Sequence, residues 1–408
     1  MTSPAARLPT LEPRRPAARG LPLFELGFRP FFLLAAAFSA VSVPLWLLAL
    51  YGGFQPGGSF GAMQWHAHEM LFGFTAAVLA GFLLTATTNW TGRRTARGGL
   101  LAGLAALWLA GRVAVFGAEY APRAAAALDV AFLPSVAAVC AVAIVASRNR
   151  RNYVFIALLL ALSALNAGSH VAALSGAPLL VRQLHGVALD LIVVAMVLVT
   201  GRIVPAFTRN ATGVQAIVGQ PALERASLAA VVALAGLGTL GALVGGGASF
   251  ELAGAAVALL AALLLALRMR SWGAGRTTAD PLLWILHGGS LWLPVGLALR
   301  ASSALTPAVP ASSALHALTA GAIGSLTLGM MARVSLGHTG RLLRASRADH
   351  IAFVSVAFAG VVRVLAPFLP SALYRGALDA AGGAWAAAFG LFFLTHVRML
   401  SSARVDGR

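Results

Sequence analysis

The stretch MQWHAHEMLFGF, residues 63–74, places two imidazoles and a carboxylate, His66, His68 and Glu69, at the start of a long apolar run. Imidazole is the commonest metal ligand and carries protons near neutral pH, so the stretch points to metal binding, haem ligation or proton transfer. Single histidines also interrupt apolar runs at His170, His185 and His316, as do the carboxylates Asp129 and Asp190. Residues two apart on a regular helix point ~200° away from each other. His66 and His68 therefore cannot both bind one ion, whereas Glu69 and Met70 share the face of His66. Cys140 is the single cysteine, which excludes a disulfide framework, a Cys-rich metal site and a paired-cysteine haem attachment. Any metal must rely on His, Met or carboxylate. Met63 and Met70 are nearby thioethers, a side chain that more often packs than ligates.

The elements that position these groups follow from composition. The chain is 59% hydrophobic and 10% charged, with a mean hydropathy of +0.84, against about 25% charged in soluble domains. This is the composition of a membrane protein. Apolar runs divide it into about twelve spans: 31–51, 66–88, 98–117, 122–146, 152–174, 179–201, 226–246, 250–267, 281–300, 311–332, 350–369 and 374–396. Each approaches the ~20 residues a spanning helix needs. Lipid offers the backbone no hydrogen-bond partner, so the spans must be helical. A barrel would alternate over ~10 residues, and these runs are solidly apolar. The fold class is an all-α integral membrane protein. "RPFF", "APRA", "ADPLL" and "VPASS" put Pro at or beside first helical turns, where its missing N–H costs little.

The formal net charge is +18 and every basic residue is Arg. Clusters such as Arg93, Arg94 and Arg97, or Arg341, Arg344 and Arg347, fall in alternate connections, and the opposite connections hold scattered arginines. By the positive-inside rule both termini are cytoplasmic. Arginines spaced evenly along one membrane face do not form a nucleic-acid patch. Residues 1–22 are expected to be a disordered cytoplasmic segment, residues 23–399 a single twelve-helix domain and residues 400–408 a cytoplasmic tail. No cleavable signal is evident.

On this topology His66, His68, His170, His185 and His316 all fall near the outer side, on helices 2, 5, 6 and 10. His287, His338, His350 and His396 fall near the cytoplasmic side. A lone His near a helix end is ordinarily an interhelical hydrogen-bonding residue; five at one level point to a shared site. Ser163, Asn166 and His170 add one polar stripe on helix 5. An internal repeat agrees. His68, His185 and His316 stand at one common offset before the threonines Thr91, Thr208 and Thr339. Four helices separate successive units, so the repeats are parallel, giving three four-helix units around a pseudo-threefold axis.

That architecture resembles the catalytic subunit of haem–copper oxidases, whose helices 2 and 10 carry the axial histidines of a low-spin haem. The matching positions are His66 or His68 with His316. Helix 7 has no histidine and helix 10 a single outer one, which does not support a full oxygen- or nitric-oxide-reducing binuclear centre. "FELGFRPFFLLAA", "WHAHEMLFGF", "NWTGR", "LWLAGR", "GRIVPAFTRN" and "HALTAGAIGSLTLGMMARVSLGHTGR" resemble the NnrS family over residues 24–341. The resemblance implies a bacterial inner-membrane protein containing haem and copper, associated with denitrification and protection against nitric oxide. On that basis haem b is expected between His68 and His316, and copper at His66, His170 and His185. Nitric oxide or a related small molecule is the expected partner, besides membrane lipids and an unassigned electron donor. Glu69 and Asp190 are candidate proton carriers or Arg-paired structural carboxylates.

Two strings stand apart. "VSLGHTGR" and "GFRPFF" lie at the cytoplasmic side and either shape helix ends or build a second functional surface there. A different class, a transporter whose histidines line a substrate path, is the alternative; so is a haem-bearing sensor without turnover.

Overall fold

The computed structural model describes residues 20–56 and 58–406. The expectation for residues 1–22 falls almost wholly outside them. Among the described residues there is no strand, and twelve helices are long and apolar enough to cross a membrane. The chain is an all-α multi-pass membrane protein. The helices are α1 Phe28–Leu50, α2 Ala62–Thr91, α3 Gly98–Phe116, α4 Pro122–Ala146, α5 Tyr153–Leu174, α6 Pro178–Thr212, α7 Pro221–Val244, α8 Ala248–Met269, α9 Pro281–Leu305, α10 Ala311–His338, α11 Arg347–Leu365 and α12 Ser371–Ser401. Pro122, Pro178 and Pro281 each occupy a first turn. Asp280 caps α9 by accepting the Leu282 amide at 2.9 Å.

Helix α6 outruns its apolar run. The sequence places its end near residue 201, yet the backbone continues through Pro205 to Thr212 and stops at Gly213, which adopts φ +72°. Arg202 ends the apolar stretch, but a helix stops only where the backbone turns left-handed, and glycine does that without a Cβ penalty.

Successive helices pack as neighbours. Helix α4 meets α5, α8 meets α9 and α12 returns to α1, closing the ring. Helices α2, α6 and α10 meet around a small gap lined by side chains such as Val78, Ile192 and Ile323. Lipid supplies no hydrophobic drive for helices to associate, so close approach through small residues does the work. A Cβ at Gly81 of α2 would sit 3.0 Å from Phe31 and Phe32 of α1; at Gly329 of α10 it would sit 2.8 Å from Ile285 of α9. Gly81 stands as far after His68 as Gly329 does after His316, so the repeat extends to packing.

The repeat also reaches the backbone. Immediately after His68, residues Glu69–Thr75 widen into a π-helix, and immediately after His316 residues Ala317–Ile323 do the same. The Thr75 hydroxyl donates to the Met70 carbonyl in the preceding turn, at 2.7 Å. Isolated π-turns recur at functional sites. The matching part of α6 is regular helix, so the first and third units are closer to each other than to the second.

The entry to α1 and the residues that follow α12 meet at one face. Arg29, at the entry to α1, is fully buried and donates to the carbonyls of Leu400 (3.0 Å) and Ser402 (2.6 Å), with Glu25 at 3.5 Å. Val405 donates to the Thr339 carbonyl and Arg404 to that of His338. "GFRPFF" and "LGHTGR" are therefore knitted together with the residues that follow α12. We call this the terminal face; the five grouped histidines lie toward the opposite one.

Candidate functional site

Two sites emerge beside each other. The first is a buried polar cluster where α2, α3, α4, α5 and α6 meet. His68 is fully buried; its Nδ1 lies 3.1 Å from Glu69 Oε1, and its Nε2 lies 3.0 Å from Asn166 Oδ1 and 3.2 Å from Asp129 Oδ2. His170 Nε2 lies 2.9 Å from the same Asp129 oxygen, and Asn166 donates to it at 2.8 Å. One ligand atom from each of His68, Asp129 and His170 falls within 4.8 Å of the others, a spacing that can hold a metal ion. His185 brings its ring to 6.0 Å from that of His68, and its Nε2 is buried without a partner among the described residues. Phe60, from the connection between α1 and α2, stacks on His68 at 4.8 Å and covers the rings of His170 and His185.

Arg112 organises the carboxylates. It pairs with Asp129 and donates to Glu69 Oε1 at 2.7 Å, with all three side chains at most 4% exposed. Two glycines make the room. A Cβ at Gly73 would meet the Arg112 guanidinium at 3.0 Å and Glu69 Oε2 at 3.1 Å; one at Gly111 would meet the Asp129 backbone at 3.2 Å. Two carboxylates against one guanidinium leave a single negative charge. A charge buried without balance is expensive, so the cluster is suited to a cation.

The second site is a pocket of about 640 Å³, walled mainly by α2, α6, α10, α11 and α12, with Val43 and Trp46 of α1. His66, His185 and His316 line it. His66 stacks on Trp46 at 4.2 Å. His316 Nδ1 lies 2.7 Å from the Ser312 carbonyl. A carbonyl only accepts, so Nδ1 carries the proton and a neutral ring keeps its Nε2 lone pair free; such a bond is what orients a metal-binding imidazole. Arg363 lines the same pocket, near enough to act on both His66 and His316, and its buried Nε and NH1 have no partner among the described residues. An unpartnered buried guanidinium calls for an anionic group.

The five histidines do group, but not as the sequence suggested. The expectation paired His68 with His316 and put His66 with His170 and His185. In the fold His66 shares the pocket with His316, and His68 joins His170 and His185. The reason is the two-residue offset: Ala62–His68 is regular helix, so the two side chains leave α2 in opposed directions. His185 borders both sites. Asp190 belongs to neither; it is paired with Arg300 of α9, NH2 to Oδ2 at 3.2 Å. Glu69 is tied to Arg112. Met70 lines the pocket and accepts from Ser42 at 3.8 Å.

Arg112, Arg363, Phe60 and Trp46 were missed. For the arginines a signal existed: both lie inside spans, away from the loop clusters that set topology, and an ionisable residue at that depth marks a site. The aromatics carried none, because apolar side chains are everywhere in this chain.

The family profile described as NnrS protein matches residues 22–404 of the chain. No curated protein matches it.

Proposed function

The chain belongs to the NnrS family, whose members are membrane proteins tied to nitric oxide stress, and on that premise we propose that it is a haem- and copper-binding protein of the bacterial inner membrane. The observation that carries this reading is the pocket shared by His66 and His316. Its volume suits a cofactor of that size, the imidazoles come from helices α2 and α10, and Arg363 supplies unpaired donors for a carboxylate. His66 and His316 would hold haem b, and Arg363 with Arg182, which also lines the pocket, would offer donors to its carboxylates. His68, His170 and His185, with Asp129, hold copper; imidazole suits copper, and a monovalent ion neutralises the cluster.

Haem, when bound, would supply one-electron redox chemistry. The protein's part is orientation and exclusion. Trp46 holds His66 in place, Ser312 sets the His316 tautomer, and Phe60 keeps water from the copper ligands. The termini face the cytoplasm, where arginine-rich connections are retained, so both metal sites lie toward the outer side. In the transporter alternative the inner helices break near the bilayer middle; here α2, α6 and α10 stay helical throughout.

A reduced-minus-oxidised optical spectrum of the purified protein tests this. A b-type band should be present, vanish in His66→Ala and in His316→Ala, and persist in His68→Ala, while His68→Ala and His170→Ala lose copper by elemental analysis. A folded protein without haem, or a band that survives His66→Ala and is lost in His68→Ala, would overturn it.

A further inference from the structure

A second cavity, of about 230 Å³, lies at the terminal face between α2, α5, α6 and α10. It is built by the three strings that the metal sites leave unused. "NWTGR" contributes Asn89 and Trp90, "GRIVPAFTRN" contributes Arg202 and Phe207, and "VSLGHTGR" contributes His338. It is separate from the haem pocket: His66 and Asn89 stand near opposite ends of α2, roughly 34 Å apart along the axis at ~1.5 Å per residue. Between them lies a smaller gap lined almost wholly by apolar side chains such as Val78, Leu79 and Ile192. An ion that enters at the terminal face therefore stays there, since crossing an apolar gap unpaired is prohibitive.

The chemistry of the cavity is cationic and flat. Among the described residues Arg202 is its only charged lining residue apart from the titratable His338, and no carboxylate lines it. The internal repeat shows that this is specific to Arg202. Arg202 and Arg333 stand at the same repeat position, equally far after His185 and His316. Arg333 lies over the Phe207 ring at 4.1 Å and has Asp280 within electrostatic range. Arg202 lies over Phe155 at 5.8 Å, donates to the neutral Asn152 at 3.2 Å, and has as its charged neighbour another guanidinium, Arg151. One equivalent arginine has a carboxylate within electrostatic range; the other lines a cavity. Trp90 and Phe155 stack at 5.0 Å with planes 21° apart, giving that cavity a flat aromatic wall.

We propose that this cavity is a binding site for a small planar monoanion, a carboxylate or a nitrogen oxyanion, held by the Arg202 fork with Asn89 and His338 as further donors. Guanidinium matches the O–C–O of a carboxylate and the O–N–O of nitrite with two parallel hydrogen bonds. The volume admits a ring-bearing carboxylate as well as the bare oxyanion. The site stands whether or not the metal assignment holds, because it shares no residue with the haem pocket.

Isothermal titration calorimetry on the full-length protein in detergent tests it, using sodium benzoate, acetate and nitrite, with chloride and inorganic phosphate at matched ionic strength. Benzoate or nitrite should bind saturably and chloride and phosphate should not. Arg202→Gln should weaken binding roughly ten- to hundredfold, the loss of a charge-assisted contact, and Arg202→Lys should fall between. Benzoate ahead of nitrite assigns a carboxylate ligand; the reverse order assigns a nitrogen oxyanion. If Arg202→Gln does not fold, His338→Ala is read instead and should weaken binding several-fold. No saturable binding of any planar anion, equal binding of chloride, or affinity unchanged in the folded variant overturns the proposal.

Discussion

Arg112→Leu is the most informative single change. Its guanidinium is at most 4% exposed and answers two carboxylates, Glu69 at 2.7 Å and Asp129, that are themselves 2% and 1% exposed. Removing it leaves two buried carboxylates without the guanidinium that pairs with both. Breaking a buried ion pair from one side costs about 3–5 kcal/mol. Replacing a whole buried ionic set with neutral groups of similar volume is often close to neutral. Arg112→Leu should therefore lose about 3–5 kcal/mol, and the triple variant Arg112→Leu, Glu69→Gln, Asp129→Asn should recover most of it. The assay is equilibrium unfolding in mixed micelles with rising SDS fraction, followed by tryptophan fluorescence. Trp108 sits beside the cluster, donating to the Gly73 carbonyl at 3.1 Å, and reports locally. A single variant within about 1 kcal/mol of the parent, far short of the cost of an unbalanced buried charge, or a triple variant as damaged as the single, would falsify the view that charge balance holds this cluster together.

Two further outcomes follow from packing and from the terminal clamp. Gly321→Ala should destabilise by about 1–3 kcal/mol, because its Cβ would fall 2.5 Å from the Trp292 ring, while Gly103→Ala, with nothing within 4 Å, should be neutral or slightly stabilising; the same unfolding assay compares them. Arg29→Gln removes charged donors to Leu400 and Ser402 and should cost about 1.5–3 kcal/mol. Limited proteolysis should then release a C-terminal tag faster than in the parent, and equal rates in the two would refute the clamp.

Much of the fold was legible because a bilayer imposes a coarse rule. Twelve apolar runs became twelve helices, since backbone in lipid has nowhere else to bond. Arg29 meeting the carbonyls of Leu400 and Ser402 places the start of α1 beside the end of α12, as an even number of spans requires. The repeat read from His68, His185 and His316 reappeared in paired π-turns and paired glycines. The site was legible in part. All five histidines were singled out as one level, and they do gather, along with Asp129, Asn166 and Glu69.

What residue types determined, then, was helix number and helix nature, both of which depend on local composition and length. What only tertiary structure decided was azimuth and pairing. Whether His66 or His68 faces α10 depends on the rotation of α2 about its own axis, which packing against α1 and α4 sets and which no run of apolar residues encodes. Likewise Asp190 found Arg300 three helices further along the chain, whereas Glu69 found Arg112 on the very next helix. A buried charge must meet its partner, but the sequence of one helix does not say which neighbour will bring it.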